Sequence, residues 1–375
     1  MKAQAQAQAQ VRPRLHTQLL EWFQAVKRDL PWRKTKDPYA IWVSEVMLQQ
    51  TRAATVVPYY QRFLAAFPTV MALAEAPADR VMSLWSGLGY YRRARMLHEG
   101  ADEVRREHGG VLPMSAAGLA ELRGIGPYTA GAIASIAYGE RAPLVDGNVA
   151  RVLARLFAVE DDVQRGPGLR RIWELAGELV PEDRPGDWNE ALMELGATTC
   201  VPENPRCLVC PVRGECEGRA KGLERELPRH RAKTAPKLER QAALVATGPE
   251  QRLLLARRLR SVRFGGLWEP PALVVPAWAE SAESAQHEIA ALRALLMRPS
   301  LRPKLVGALT HTLSHRRLEV RVFTVRIRAT PSLAPNLTYD EVALVPPEAL
   351  TTLGLSTLAR RVLVLAGARL PLQRN

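Results

Sequence analysis

From Leu15 onward, apolar positions recur at helical spacing. Leu15, Leu19, Trp22, Phe23 and Val26 fall three or four residues apart, which places them on one stripe of a helix. Asp37-Pro38 predicts the start of a second helix: the Asp side chain accepts amide hydrogens that a first turn leaves orphaned, and Pro fits where no donor is needed. That helix carries Ile41-Trp42-Val43-Ser44-Glu45-Val46-Met47-Leu48-Gln49-Gln50-Thr51. The same spacing predicts helices around 78–86, 92–108, 116–122, 127–138, 148–158 and 168–179. Residues 217–238 are rich in charge and contain Pro228 and Pro236, which predicts a linker. Beyond it the period changes. Residues 241–247, 252–258 and 318–328 read as strands, with one helical stretch at about 281–297 among them. In the last strand Val320 and Val322 share one parity while Phe323, Val325 and Ile327 share the other, a pattern that predicts a β-bulge. The expected organisation is a flexible low-complexity tail over 1–14, a mainly α region over 15–220, a linker over 221–238 and an α+β domain over 239–368.

A length of 375 residues accommodates two or three domains, and 47% hydrophobic with 24% charged residues excludes a wholly disordered chain. Apolar runs such as 272–277 and 362–366 are far too short to span a bilayer, so no membrane partner is expected. The N-terminal MKAQAQAQAQ lacks the apolar core of an export signal, which predicts a cytoplasmic, nucleoid-associated protein. The net charge of +14 points to a polyanionic partner, although an Arg-favouring genome produces the same excess. Clusters at 92–95, 105–106 and 257–263 suit phosphate contacts or, equally, solvated helix faces. A monomer is the default expectation.

The run Leu122-Arg123-Gly124-Ile125-Gly126-Pro127-Tyr128-Thr129-Ala130-Gly131 follows one predicted helix and opens another. Gly124 and Gly126 permit a tight hairpin and close approach of a phosphate, and the amides of the following helix N-terminus bind it without reading sequence. Twenty residues after Gly126 comes Val145-Asp146-Gly147-Asn148. Together these resemble the helix–hairpin–helix glycosylase superfamily. Trp32-Arg33, the 42–51 run and Gly87-Leu88-Gly89-Tyr90-Tyr91 narrow the resemblance to adenine glycosylases of the MutY type, over about 15–220.

Breaking an N-glycosidic bond creates a sugar cation and a departing anionic base, a task for two carboxylates in different environments. Glu45 shares a helix side with Ile41 and Leu48, and an apolar setting lets a carboxyl keep its proton for donation, whereas periodicity alone favours an ordinary surface Glu. The resemblance implies that Glu45 protonates adenine N7 and helps activate the attacking water. It further implies that Asp146 stabilises the sugar cation, with Asn148 fixing its position; capping the next helix is compatible with that role. Tyr128 stands where bifunctional relatives carry a lysine, so no imine forms and a monofunctional enzyme is expected.

Cys200-x6-Cys207-x2-Cys210-x5-Cys216 holds all four cysteines. Four clustered thiols suit a metal site, and the ligand count fits either [4Fe–4S] or structural zinc. The 6-2-5 spacing is similar to that of the endonuclease III and MutY superfamily, which implies a structural [4Fe–4S] cluster. Arg206 and Arg213 lie within its loops, available to DNA phosphate or simply exposed.

Extruding a base from duplex DNA costs roughly a few kcal/mol and calls for wedge residues. The resemblance implies insertion of Gln50 and Tyr90, with Leu88 in the same loop, and Gln50 and Thr51 facing the opposing base. It also implies that Arg33 lines the adenine pocket. Against this stand core packing for Leu88 and Tyr90 and an ion pair for Arg33. Gly266-Leu267-Trp268-Glu269-Pro270-Pro271 and Leu309-Thr310-His311-Thr312-Leu313-Ser314-His315 resemble the Nudix-like domain that reads 8-oxoguanine. Leu313 replaces the family's aromatic residue, while Ser314 and His315 keep hydrogen-bonding groups. Only Glu283 and Glu288 occur where a Nudix hydrolase carries its Glu-rich metal run, which disfavours nucleotide hydrolysis. The leading expectation is a glycosylase acting on double-stranded DNA with A:8-oxoguanine or A:G mispairs. The alternatives are an endonuclease III-like glycosylase/lyase, disfavoured by Tyr128, and a noncatalytic DNA sensor, disfavoured by Glu45 and Asp146.

Overall fold

Asp37 opens its helix as expected: its Oδ1 accepts the Tyr39 amide at 3.1 Å, with Pro38 in the first helical position. In the computed structural model, residues 2–229, 235–276, 282–313, 315–335 and 338–370 are described. In the first two hundred residues the helices are α1 Lys2–Val26, α2 Pro38–Leu48, α3 Ala53–Ala66, α4 Val70–Ala74, α5 Ala78–Trp85, α6 Arg92–Glu107, α7 Ala116–Glu121, α8 Pro127–Tyr138, α9 Gly147–Leu156, α10 Gly166–Leu179 and α11 Pro185–Thr198. A short α12, Glu217–Ala220, follows the cysteine loop. Helix α1 reaches back into the stretch expected to be a tail. Its Ala/Gln repeat lacks an apolar stripe but is made of good helix formers.

Two compact units partition the chain. One comprises Met1–Leu64, Pro68–Ala74 and Glu99–Ala232; the other comprises Ala65–Phe67, Glu75–His98 and Lys233–Asn375. The expected division at a single linker differs from this, because α5, the turn after it and the start of α6 count with the C-terminal half.

In the helical unit, Leu15, Leu19 and Phe23 of α1 are buried on one stripe. Every residue from Tyr39 to Met47 on α2 is buried, so this helix is a core rod rather than an amphipathic one. Helix α8 is buried in the same way from Thr129 to Ile136.

The second unit contains β1 Lys237–Thr247, β2 Leu253–Arg258, β3 Trp268–Glu269, β4 Ala272–Val275, α13 Ala282–Leu295, β5 Lys304–Leu313, β6 Arg316–Arg326, β7 Tyr339–Val345 and α14 Thr357–Leu365. The strands form one sheet in the order β3-β2-β1-β6-β5, with β4 on β1 and β7 on β2. Strands β1 and β6 are parallel; the other pairs are antiparallel. Both faces are covered. Ala243, Val245, Leu318, Val320 and Val322 pack with Leu358, Val362 and Leu363 of α14, while Ala242, Leu244, Ala246 and Phe323 pack with Leu292 of α13 and Leu296. This explains the parity change in β6: the strand buries one face up to Val322 and the other from Phe323. Strand β6 itself pairs with β1 without interruption. The expected extra residue is on its other neighbour, β5, where Leu305 faces Phe323 and Gly307 faces Val322, leaving Val306 unmatched.

Candidate active site

Helix α2 carries Glu45 into the interior of the helical unit, where it is 3% exposed. Burial among apolar neighbours pushes its carboxyl up to about 7. The negative charges of Glu190 and Asp146 add to the rise, while a hydrogen bond from Tyr128 and the Arg33 charge oppose it. The Tyr128 hydroxyl donates to Glu45 Oε2, and Met193 Sδ lies 3.6 Å from the same hydroxyl. Burial holds the phenol far above its ordinary range, so it remains a donor.

Tyr128 is placed by the hairpin before α8. Gly124 is left-handed (φ 81°), and Gly126 is the extended residue from which the helix starts, with Pro127 in the first turn. Gly126 accepts the Ala130 amide at 2.9 Å, and both glycines are exposed. The amides of Tyr128 and Thr129 lie in the first turn, at the helix's positive end.

Asp146 caps α9. Its Oδ1 accepts the Val149 amide at 2.7 Å and its Oδ2 accepts Asn148 Nδ2 at 2.8 Å. Burial raises its carboxyl, and these donors together with Arg151 oppose the rise. Capping and the placing of a carboxylate are therefore one arrangement. Asn148 in turn accepts Arg151 Nη2 at 2.9 Å, and the same guanidinium donates to the carbonyls of Gly196 and Cys200, each at 2.8 Å. Helix α11 lies directly on this point: a Cβ on Gly196 would stand 2.6 Å from Asn148 Cβ.

Arg33 is partly buried and ion-paired to α11. Its Nη2 meets Glu194 Oε2 at 2.8 Å and its Nε meets Glu190 Oε1 at 3.3 Å. Arg28 grips Glu194 through two bonds of 2.7 Å. Burial works against charge on Glu194, but the two guanidinia outweigh it and hold the carboxyl below its usual value. Glu190, with less help, is raised by burial. None of Glu190, Met193 or Glu194 was singled out from sequence. The available signal was a pair of carboxylates four residues apart between the apolar positions Trp188, Ala191, Leu192 and Leu195.

Gln50 ends the turn after α2, exposed and left-handed at φ 57°, with Thr51 beside it. In the other unit Leu88 is buried at 6% exposure, whereas Tyr90 is 45% exposed and left-handed at φ 49°. His315 is exposed at the turn between β5 and β6, and Ser314 lies outside the described residues. Glu288 is buried and paired with Arg321 at 3.1 Å. Much of the clustered arginine charge is engaged internally. Arg105 and Arg106 meet Asp102, Arg257 meets Asp340 and Glu341, Arg258 meets Glu269, and Arg263 meets Glu239.

The four cysteines are free thiols that line one cavity. Cys200 follows α11, Cys207 and Cys210 bracket a single 3-10 turn, and Cys216 caps α12. Arg206 and Arg213 join Arg155 and Arg219 in the wall. Burial pushes Cys210 up to about 12 and raises Cys207 and Cys216, so thiolates here call for a strongly cationic partner. Among the described residues no three of His, Cys, Asp and Glu converge as ligands of a single ion. Four thiols lining one cavity are a donor set able to hold an iron–sulfur cluster, whose thiolates bind the irons. Arg155 is fully buried and donates to the carbonyls of Leu227, Cys200, Val201 and Pro202 at 2.7 to 3.3 Å, tying the loop together.

Residues 43–177 match the HhH-GPD superfamily of base excision DNA repair proteins, and 242–365 match the NUDIX domain. A solved structure of a thermostable thymine-DNA glycosylase superposes with a TM-score of 0.53 at 30% identity, covering 57% of this chain and 99% of that one. An adenine DNA glycosylase of Homo sapiens is 38% identical over 81% of this chain, which spans 65% of that protein's length. For the Mus musculus adenine DNA glycosylase the identity is 37%, over 86% of this chain and 73% of the relative. Identity of 37% over nearly three quarters of the mouse protein means that the chain belongs to the adenine DNA glycosylase family, DNA N-glycosylases, here with a helix–hairpin–helix superfamily match followed by a Nudix-like C-terminal domain.

Proposed function

We propose that the chain is a monofunctional glycosylase that excises adenine extruded from duplex DNA opposite 8-oxoguanine or guanine. The observation that carries this reading is Glu45: a buried carboxyl that accepts the Tyr128 hydroxyl and that burial pushes up to about 7. In the proposed reaction the bond from C1′ to adenine N9 breaks and its electron pair leaves with the base. Glu45 gives its proton to adenine N7. Asp146, steadied by Asn148, stabilises the positive sugar carbon through its charge. Water then adds at that carbon, and its proton passes to the Glu45 carboxylate. Tyr128 has no amine, so no imine joins enzyme to sugar and the strand is left intact at an abasic site.

Cys200, Cys207, Cys210 and Cys216 would hold a [4Fe–4S] cluster, whose contribution is to brace the loop rather than to act on the base. Gly124 and Gly126 would seat a phosphate. Gln50 would insert near the mispair and, with Thr51, face the opposing base. Tyr90, with Leu88 in the same loop, would also insert. Arg33 acts through Glu190 at the base pocket. Ser314 and His315 would meet the opposing 8-oxoguanine. The enzyme would work as a monomer on double-stranded DNA. A helical scaffold shared with a thymine-DNA glycosylase does not select the base, so the adenine reading leans on the family rather than on the fold.

Duplexes bearing A:8-oxoguanine, A:G or an oxidised pyrimidine test the reading directly. Breakage of the adenine strand only after alkali is expected. Breakage without alkali, or at the pyrimidine, would select the lyase alternative.

A further inference from the structure

The turn Gly87–Tyr91 belongs to the β-rich unit. Its backbone is left-handed at Gly87 (φ 99°), Gly89 (φ 78°) and Tyr90 (φ 49°). A non-glycine residue rarely holds that conformation unless its surroundings impose it. Part of the constraint is local: Trp85 Nε1 donates to the Gly89 carbonyl at 3.1 Å, and the Gly87 amide donates to the Tyr91 hydroxyl at 3.1 Å. The rest comes from residues more than 160 positions along the chain. Ser86 Oγ donates to the Leu355 carbonyl at 2.5 Å and accepts Arg360 Nη2 at 3.2 Å. Arg95 Nη1 donates to the Gly265 carbonyl, and Tyr91 packs edge-on against Phe264. The approach is close enough to need glycine: a Cβ on Gly354 would stand 2.8 Å from Met82 Cβ on α5.

We propose that the β-rich unit is the mount of the turn that parts the duplex, with Ser86 and Arg95 as positioning residues that aim Tyr90 from the C-terminal side. This rests on the reading above that Tyr90 inserts beside the mispair. A domain assigned to the opposing base would thus also set how readily adenine leaves the stack. Ser86 is buried at 1% exposure, so removing its hydroxyl takes a donor from the Leu355 carbonyl and an acceptor from Arg360 without touching a reacting group.

The test uses the full chain as Ser86→Ala, Gly354→Ala and Tyr90→Ala. Extrusion is followed by 2-aminopurine fluorescence next to the target adenine, and excision by single-turnover rates. One substrate carries A:8-oxoguanine; the other carries adenine opposite an abasic site, where less stacking must be undone. Ser86→Ala and Gly354→Ala should slow extrusion and excision from A:8-oxoguanine about tenfold, as expected for one buried hydrogen bond. They should stay near the parent on the abasic substrate. Equal slowing on both substrates, or slowing on neither, overturns the proposal. If Tyr90→Ala extrudes like the parent, the insertion reading fails and takes the proposal with it. If Tyr90→Ala alone is slow, only the mounting role is lost. Melting temperatures near the parent's, or rescue of excision on the abasic substrate, separate aim from folding.

Discussion

Tyr128 donates its hydroxyl hydrogen to Oε2 of Glu45, across a contact that joins the first turn of α8 to the last turns of α2. The phenol stabilises the carboxylate form, while burial stabilises the protonated one, and burial is the larger effect. The pair therefore sits near the point where a proton can leave and return within one catalytic cycle.

If Glu45 is the acid, the single-turnover rate holds steady below pH 7 and falls about tenfold per unit above it, since its carboxyl titrates near 7. Glu45→Gln should lose about 100- to 10,000-fold in excision while binding the mispair. Rates near the parent's in that variant would remove Glu45 from the mechanism.

Stability should fall in the same direction but over a lower pH window. The folded protein holds the Glu45 proton more tightly than the unfolded chain does, so stability falls as pH rises from 4.5 towards 7 and levels above that. Glu45→Gln abolishes this loss. Thermal melts should find the inactive variant more stable than its parent at pH 8, with the gap closing towards pH 4.5.

Tyr128→Phe removes the bond that lowers the Glu45 carboxyl. The falling limb of the pH–rate profile should shift to higher pH, and the maximal rate should drop. Borohydride should trap no enzyme–DNA adduct with parent or variant; a stoichiometric adduct would contradict the monofunctional reading.

Asn148→Ala frees Asp146 Oδ2 and takes from Arg151 one of its acceptors. Loss of a hydrogen bond to a charged group corresponds to a rate about 10- to 100-fold lower. Duplex affinity measured by gel shift should change little.

Arg155→Ala takes a buried donor from the carbonyls of Val201, Pro202 and Leu227, while the Cys200 carbonyl keeps Arg151. Each buried carbonyl left unsatisfied costs about 1–3 kcal/mol. Expected readouts are a lower melting temperature and a fall in iron and acid-labile sulfide per chain. Full iron content would show that the loop holds without this arginine.

What could be read from the chain depended on how each residue earns its place. Asp37-Pro38 and Asp146 announce helix starts because a cap is a local bond, and the structure closes both. Glu45 has apolar neighbours on α2, but periodicity alone favours a surface Glu there, and the family resemblance is what singles it out. Helix α11 escaped notice because its inner side mixes Trp188 and Leu195 with Glu190 and Glu194, whose partners Arg28 and Arg33 lie about 160 residues away. The parity change in β6 was visible, but sequence could not say that two faces were being buried in turn or that β5 would carry the extra residue. The arginine clusters suggested phosphate; only three-dimensional pairing reveals how many already have an acid.

The bare backbone at Gly196 lets the pocket be spoiled from behind. A methyl group there would collide with Cβ, Cα and the backbone oxygen of Asn148 at once, none of which is the yielding tip of a side chain. The start of α9 would have to retreat, carrying the aspartate with it. A loss-of-repair allele need not alter any acid, base or thiol, and an alanine on the neighbouring helix should suffice.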